Sequence, residues 1–144
     1  MSKSNWKIEF DIDVNGIVNK VVTPTLKKYI HARLWSFCDE YVPFMEGTLS
    51  SNVRFTEDGL TYLVPYAAKM YAGDGFNFRK DYHDKATSRW NEAMMVAKGD
   101  LLAKDIENAI KAGESHMESV CQQTQSEINR RYQEALKRIE DKQT

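Results

Sequence analysis

The sequence predicts an α+β fold: a small antiparallel or mixed sheet, made of an N-terminal strand plus a hairpin, packed by a long helix and followed by further C-terminal helices. Three patterns carry this prediction. Residues 6–14 alternate apolar and polar side chains. Residues 18–41 repeat apolar side chains every three or four positions. An Asp-Gly pair at 58–59 separates two β-prone runs.

In the first strand, Trp6, Ile8, Phe10, Ile12 and Val14 alternate with Lys7, Glu9, Asp11 and Asp13. This is period two, with one buried face and one wet, acidic face. Asn15-Gly16 ends it. The stripe Val18, Val22, Leu26, Ile30, Leu34, Phe37 and Tyr41 then marks an amphipathic helix. Thr23-Pro24 reads as N-cap and first helical residue, since proline's missing N–H is harmless there, and the helix then spans 24–40. The stripe also fits a start at Ile17 with a kink at Pro24. His31 is expected on the partly exposed side.

Pro43 stops the helix, and Gly47 is placed to supply a backbone angle that other residues resist. Residues 43–52 are expected to cross to the sheet as a loop. Runs 53–57 and 60–64 form the hairpin, with Asp58 and Gly59 both at positive φ in the turn. Pro65 opens a short helix over 66–72, which Gly73 closes. Residues 74–87 are irregular and as long as unstructured loops in compact domains normally become.

Thr87 or Ser88 is placed to cap the next helix, whose apolar face is Trp90, Met94, Ala97, Leu101, Ile106, Ala109 and Ile110. Gly99-Asp100 is a candidate break, and Gly113 the end. Ser115 and Glu118 then read as a capping box for a last helix. Its stripe is Met117, Cys121, Thr124, Ile128, Tyr132, Ala135 and Ile139, with Glu127–Arg131 and Glu134–Arg138 as i to i+4 pairs. A helix with so thin a stripe does not stand alone in water, so it packs on its own domain, a neighbouring copy or a different protein. The chain divides into an α+β domain at 1–113 and a helical extension at 114–144.

The 144 residues suffice for one core, and a formal net charge of -1 provides no global attraction to nucleic acid or acidic membranes. No run approaches the roughly 18 apolar residues that span a bilayer. The N-terminus enters the strand pattern without a signal-peptide core, which predicts synthesis in the cytoplasm. Cys38 and Cys121 read as separate reduced thiols. No Gly-x-Ser-x-Gly, phosphate loop, Cys-x-x-Cys or His-Glu-x-x-His occurs. His83, Asp84, Asp81 and Asp74 gather metal-capable side chains in one irregular loop without a ligand spacing. No catalytic, cofactor or metal role is therefore assigned.

The same loop interleaves Phe76, Phe78 and Tyr82 with Arg79, Lys80, Lys85 and Arg89. Such a mixture suits a protein interface, plain domain packing, or a nucleic-acid surface in which aromatics stack on bases. The carboxylates Asp74, Asp81 and Asp84 dilute the positive field, which favours the protein interface. Phe76, Phe78, Arg79, Lys80 and Tyr82, with Ile128, Tyr132 and Ile139 of the last helix, are the candidate interface residues. The alternative function is a nucleic-acid-binding module using the aromatic–basic loop 76–89.

The series Tyr41-Val42-Pro43-Phe44-Met45-Glu46-Gly47-Thr48-Leu49, then Val64-Pro65-Tyr66-Ala67-Ala68-Lys69-Met70-Tyr71-Ala72-Gly73, then Trp90 heading a helix, resembles the minor capsid and tail-completion proteins of tailed bacteriophages. These are small ring subunits that join a DNA-filled head to its tail. Tyr41, Pro43, Gly47, Tyr66, Tyr71 and Trp90 carry the likeness, over roughly residues 6–112. Together with Gly59, Pro65 and Gly73 they read as packing and turn residues. The 74–87 insert and the 114–144 helix depart from the family pattern. The resemblance implies a homo-oligomeric ring at the head–tail neck of the virion, without catalysis. Its partners would be copies of itself, the portal or adaptor, and tail-tube or tail-terminator proteins, with passive contact to passing DNA and no membrane. The layer stays open between tail completion at the top of the tube and the position beneath portal and adaptor.

Overall fold

The computed structural model describes residues 6–8, 22–43, 47–64, 67–72, 85, 87 and 89–142. The first long helix, α1, is Pro24–Cys38. Thr23 caps it from an extended conformation, its Oγ1 accepting from the Leu26 amide at 3.1 Å. Of the two starts that the stripe allows, the one at Pro24 is therefore adopted. The helix ends two residues before the expected Glu40 and tightens into a 3-10 turn, Asp39–Tyr41. Val42 is then extended, as a residue before proline prefers. The expectation for His31 is corrected: it is buried, and its Nδ1–H donates to the Thr56 carbonyl oxygen at 2.9 Å. Its hydrogen bond and the hairpin lying over it offset the cost of burying a polar ring.

Three antiparallel strands form the sheet: β1 (Trp6–Ile8), β2 (Val53–Phe55) and β3 (Leu60–Tyr62), in the order β1-β3-β2. Trp6 faces Tyr62 and Ile8 faces Leu60 on one side of β3, while Val53 and Phe55 pair the same two residues on the other. The N-terminal strand and the hairpin thus share one sheet, as expected. Residues 9–14 of the expected strand lie outside the described residues.

The turn differs from expectation. An Asp58-Gly59 turn would pair Glu57 with Leu60, but Phe55 does so. The Thr56 amide bonds the Gly59 carbonyl at 2.9 Å, and Thr56 Oγ1 accepts from the Asp58 amide at 3.1 Å. Glu57-Asp58 is therefore the tip, and neither Asp58 nor Gly59 takes positive φ. The threonine side chain closes the turn in place of the glycine conformation. The shift moves the register by two residues, so the same side chains still face inward.

Residues 43–52 were expected as loop, yet Thr48–Ser51 forms a short helix, α2. Gly47 precedes it at φ 92°, the positive angle expected there. Ser51 Oγ donates to the Gly47 carbonyl at 2.5 Å, so that buried hydroxyl is satisfied locally while Leu49 fills the core. Helix α3 is Ala67–Ala72. Pro65, Tyr66 and Gly73 lie outside the described residues.

Helix α4, Trp90–Ala112, runs unbroken through Gly99, where a break was expected. One glycine costs only about 1 kcal/mol, which packing on both halves outweighs. Its N-cap is Arg89 at φ 48°, without a side-chain cap, in place of Thr87 or Ser88. The inward face is corrected too. Trp90, Met94, Leu102, Ile106 and Ala109 are buried, whereas Ala97 and Leu101 are exposed. Trp90, Met94, Leu102 and Ile106 lie on one i+4 row, on which Lys98 is half-buried; that row is inclined to the helix axis, so the buried line drifts around α4.

Gly113 alone separates α4 from the last helix, α5, Glu114–Lys142. Ser115 therefore sits inside the first turn and makes no capping box; Gly113 holds the cap position, its carbonyl accepting from the Met117 amide at 3.2 Å. The stripe is as expected, with Met117, Cys121, Thr124, Ile128 and Ala135 buried. It faces α1, and further contacts reach α2 and α4. Helix α1 is thus the hub, touching β2 and β3, α4 and α5.

Candidate interaction site

The first signature group begins with Tyr41, in the turn that closes α1. There the chain places two carboxylates and a tyrosine in succession: Asp39 faces α5, while Glu40 and Tyr41 share Lys85 and, from α4, Lys98. Asp39 bonds Arg131 of α5, whose guanidinium also bonds Glu127 at 2.7 Å and lies 5.2 Å from the Trp35 ring centroid. Glu40 bonds Lys98 of α4 and, at 3.0 Å, Lys85. The Tyr41 ring receives both ammonium groups, Lys85 at 5.9 Å and Lys98 at 6.0 Å. The Tyr41 carbonyl accepts from the Thr87 amide at 2.9 Å.

The electrostatics follow from these contacts. The bonds from Lys98 and Lys85 hold the Glu40 carboxyl below the ordinary range. Burial alone would lower the Arg131 pKa, but the adjoining Asp39 outweighs it and the pKa is raised. Both are charged at neutral pH, so the junction is an ionic clamp with one arm to each long helix.

A second signature group lies along the same path. Trp90 is fully buried between two tyrosines, with Tyr62 at 5.4 Å and 67° and Tyr71 at 5.0 Å and 85°. These edge-to-face pairs add to area burial. The Tyr71 hydroxyl bonds Asn91, and its backbone carbonyl accepts from the Arg89 amide at 2.8 Å. The Arg89 guanidinium lies 5.8 Å from the Tyr71 ring centroid. Tyr41, Tyr71 and Trp90 therefore hold both ends of the stretch between Ala72 and Arg89.

Of the candidate interface residues, Phe76, Phe78, Arg79, Lys80 and Tyr82 lie outside the described residues. Ile128 is only 2% exposed and belongs to the chain's own core, while Tyr132 and Ile139 are half-buried on α5. Tyr41 and Pro43 are buried. Sequence reasoning missed Asp39, Glu40 and Lys98. Lys98 stood on the readable i+4 row, but no local signal marked the two carboxylates.

Among the described residues the remaining surface offers little chemistry. A half-open groove of about 460 Å³ is lined by residues that include Lys28, Phe55, Glu118, Cys121 and Gln122. Burial pushes the Cys121 thiol up, which keeps it protonated and inert. Among the described residues no group of three or more His, Cys, Asp or Glu is arranged to hold a metal ion, and no helix is long and apolar enough to cross a membrane.

A family model described as "Minor capsid protein" matches residues 8–113. No curated protein and no solved structure matches the chain. The matched stretch contains both signature groups and ends at Gly113, the residue between α4 and α5.

Proposed function

We propose, on the premise that this chain belongs to the bacteriophage minor capsid protein family, that it forms a homo-oligomeric ring at the neck of the virion, joining the DNA-filled head to the tail. Membership makes it a structural protein of the virion that works through other virion proteins. The neck position rests on one observation: the signature residues Tyr41 and Tyr71 accept from the Thr87 and Arg89 amides and Trp90 packs on Tyr71, so together they form a base for the segment that follows α3. Ring subunits need such a base, because a symmetric closed ring uses two unlike patches on every copy.

On this reading 1–113 is the joining unit and 114–144 a helical extension. Phe76, Phe78, Arg79, Lys80 and Tyr82 contact the portal or adaptor on one side, or tail-tube or tail-terminator proteins on the other. DNA passes through without being read. Lys85 and Arg89, two cations of the aromatic–basic run, already serve Glu40, Tyr41 and Tyr71, which favours a protein partner over nucleic acid.

Silencing the gene in its phage tests the reading. DNA-filled heads and finished tails should accumulate unjoined in electron micrographs, with joining restored by the protein supplied in trans. Normal particles without the protein would overturn it.

A further inference from the structure

We infer that α5 is an exchangeable arm, which packs on its own α1 in the isolated chain and on the α1 of a second copy in the assembly. The inference deepens the ring reading by naming the subunit contact.

Three observations carry it. First, the α5 stripe of Met117, Cys121 and Ile128 is buried on a surface built by α1, α2 and α4. A second copy presents that surface unchanged, so exchange needs no new complementarity. Second, the whole connection is Gly113, at φ 109° and ψ 172°. That conformation is essentially restricted to glycine, and no atom lies within 4 Å of where a Cβ would stand. The return of α5 onto its own α1 thus hangs on one residue with open space around it. Third, the family match ends at Gly113, so the arm lies outside the matched stretch while covering its α1. Exchange of an identical element about such a short hinge is a low-cost route to a subunit contact. The exchange also accounts for Ile128, which can serve a subunit contact while buried.

The test uses a charge swap in the full chain. Asp39→Arg and Arg131→Asp each place like charges across the α1–α5 contact of a single copy. In a mixture, the arm of one variant on the α1 of the other sets opposite charges at both contacts. Mass photometry of the equimolar mixture should show a species of two chains or more, containing both variants in native mass spectra, which neither variant forms alone. If the single variants fail to fold, mixing should restore the helical circular-dichroism signal. A mixture that stays monomeric, or stays unfolded, overturns the inference.

Gly113→Ala gives an independent arm. Alanine resists the closed conformation but continues a helix readily. Its chain should associate at concentrations where the unaltered chain is monomeric; a destabilised monomer overturns the inference. Rings of the unaltered chain on the microscope grid, together with a failed charge swap, would sink the exchange and leave the ring reading standing.

Discussion

The amide of Arg89 donates to the carbonyl oxygen of Tyr71 at 2.8 Å, which ties the start of α4 to the end of α3. The same two residues stack cation on ring. Trp90, next in sequence, inserts between Tyr71 and Tyr62. Backbone closure, cation–ring contact and aromatic packing therefore share one small volume, and they should fail together.

Trp90→Ala is expected to cost about 3–5 kcal/mol in urea denaturation, the range for removing a fully buried large aromatic. Trp90→Phe should cost less, because a ring still meets both tyrosines. An alanine variant with unchanged midpoint and slope would mean that the aromatic group does not hold α3 to the start of α4.

Gly47→Ala is expected to cost about 1–2 kcal/mol, since φ of 92° forces an L-residue into the left-handed region. Gly59→Ala carries no such backbone penalty, because Gly59 is not at positive φ. Thermal melts of the two variants compare them directly. Equal losses would remove the conformational explanation.

Glu40→Gln probes the ionic clamp. The folded carboxyl has a lowered pKa, so its stabilisation is present above the unfolded carboxylate's pKa and is lost as pH falls through the folded one. The variant should be less stable than the unaltered chain at pH 7, by about 1 kcal/mol or less because the pair is partly exposed and screened. The difference should vanish at a pH below the folded pKa and shrink in high salt. A gap that persists in acid would assign the effect to packing.

Truncation after Gly113 tests how far 1–113 stands alone. Removing α5 uncovers the surface that buries Met117, Cys121 and Ile128. Met117 and Ile128 are each worth about 1.5–3 kcal/mol and Cys121 adds a smaller share, so the melting temperature should fall by about 10 °C or more. A truncated chain that melts with the full one would make 1–113 self-sufficient and α5 an accessory.

Local chemistry was readable in the sequence. Thr23-Pro24 announced the start of α1, Gly47 its positive angle, and Gly113 the end of α4, because each depends on the conformational range of one or two residues. The stripe of α5 was readable residue by residue, since that helix keeps one face toward α1. The signature residues also announced the family.

The tertiary structure alone decided the remainder. Periodicity reports where a side chain points around its own helix axis, but not which direction is inward. On α4 the packing against its neighbours made Leu102 core and left Leu101 61% exposed, although both are leucines one position apart. The hairpin over α1 buried His31. The Asp39–Arg131 contact spans 92 positions of sequence, and nothing local to either residue foretells it. Sequence by itself determined the features that one or two residues control, such as the cap at Thr23 and the backbone angle at Gly47. Tertiary packing decided which faces meet, because meeting depends on crossing angles and on partners far along the chain.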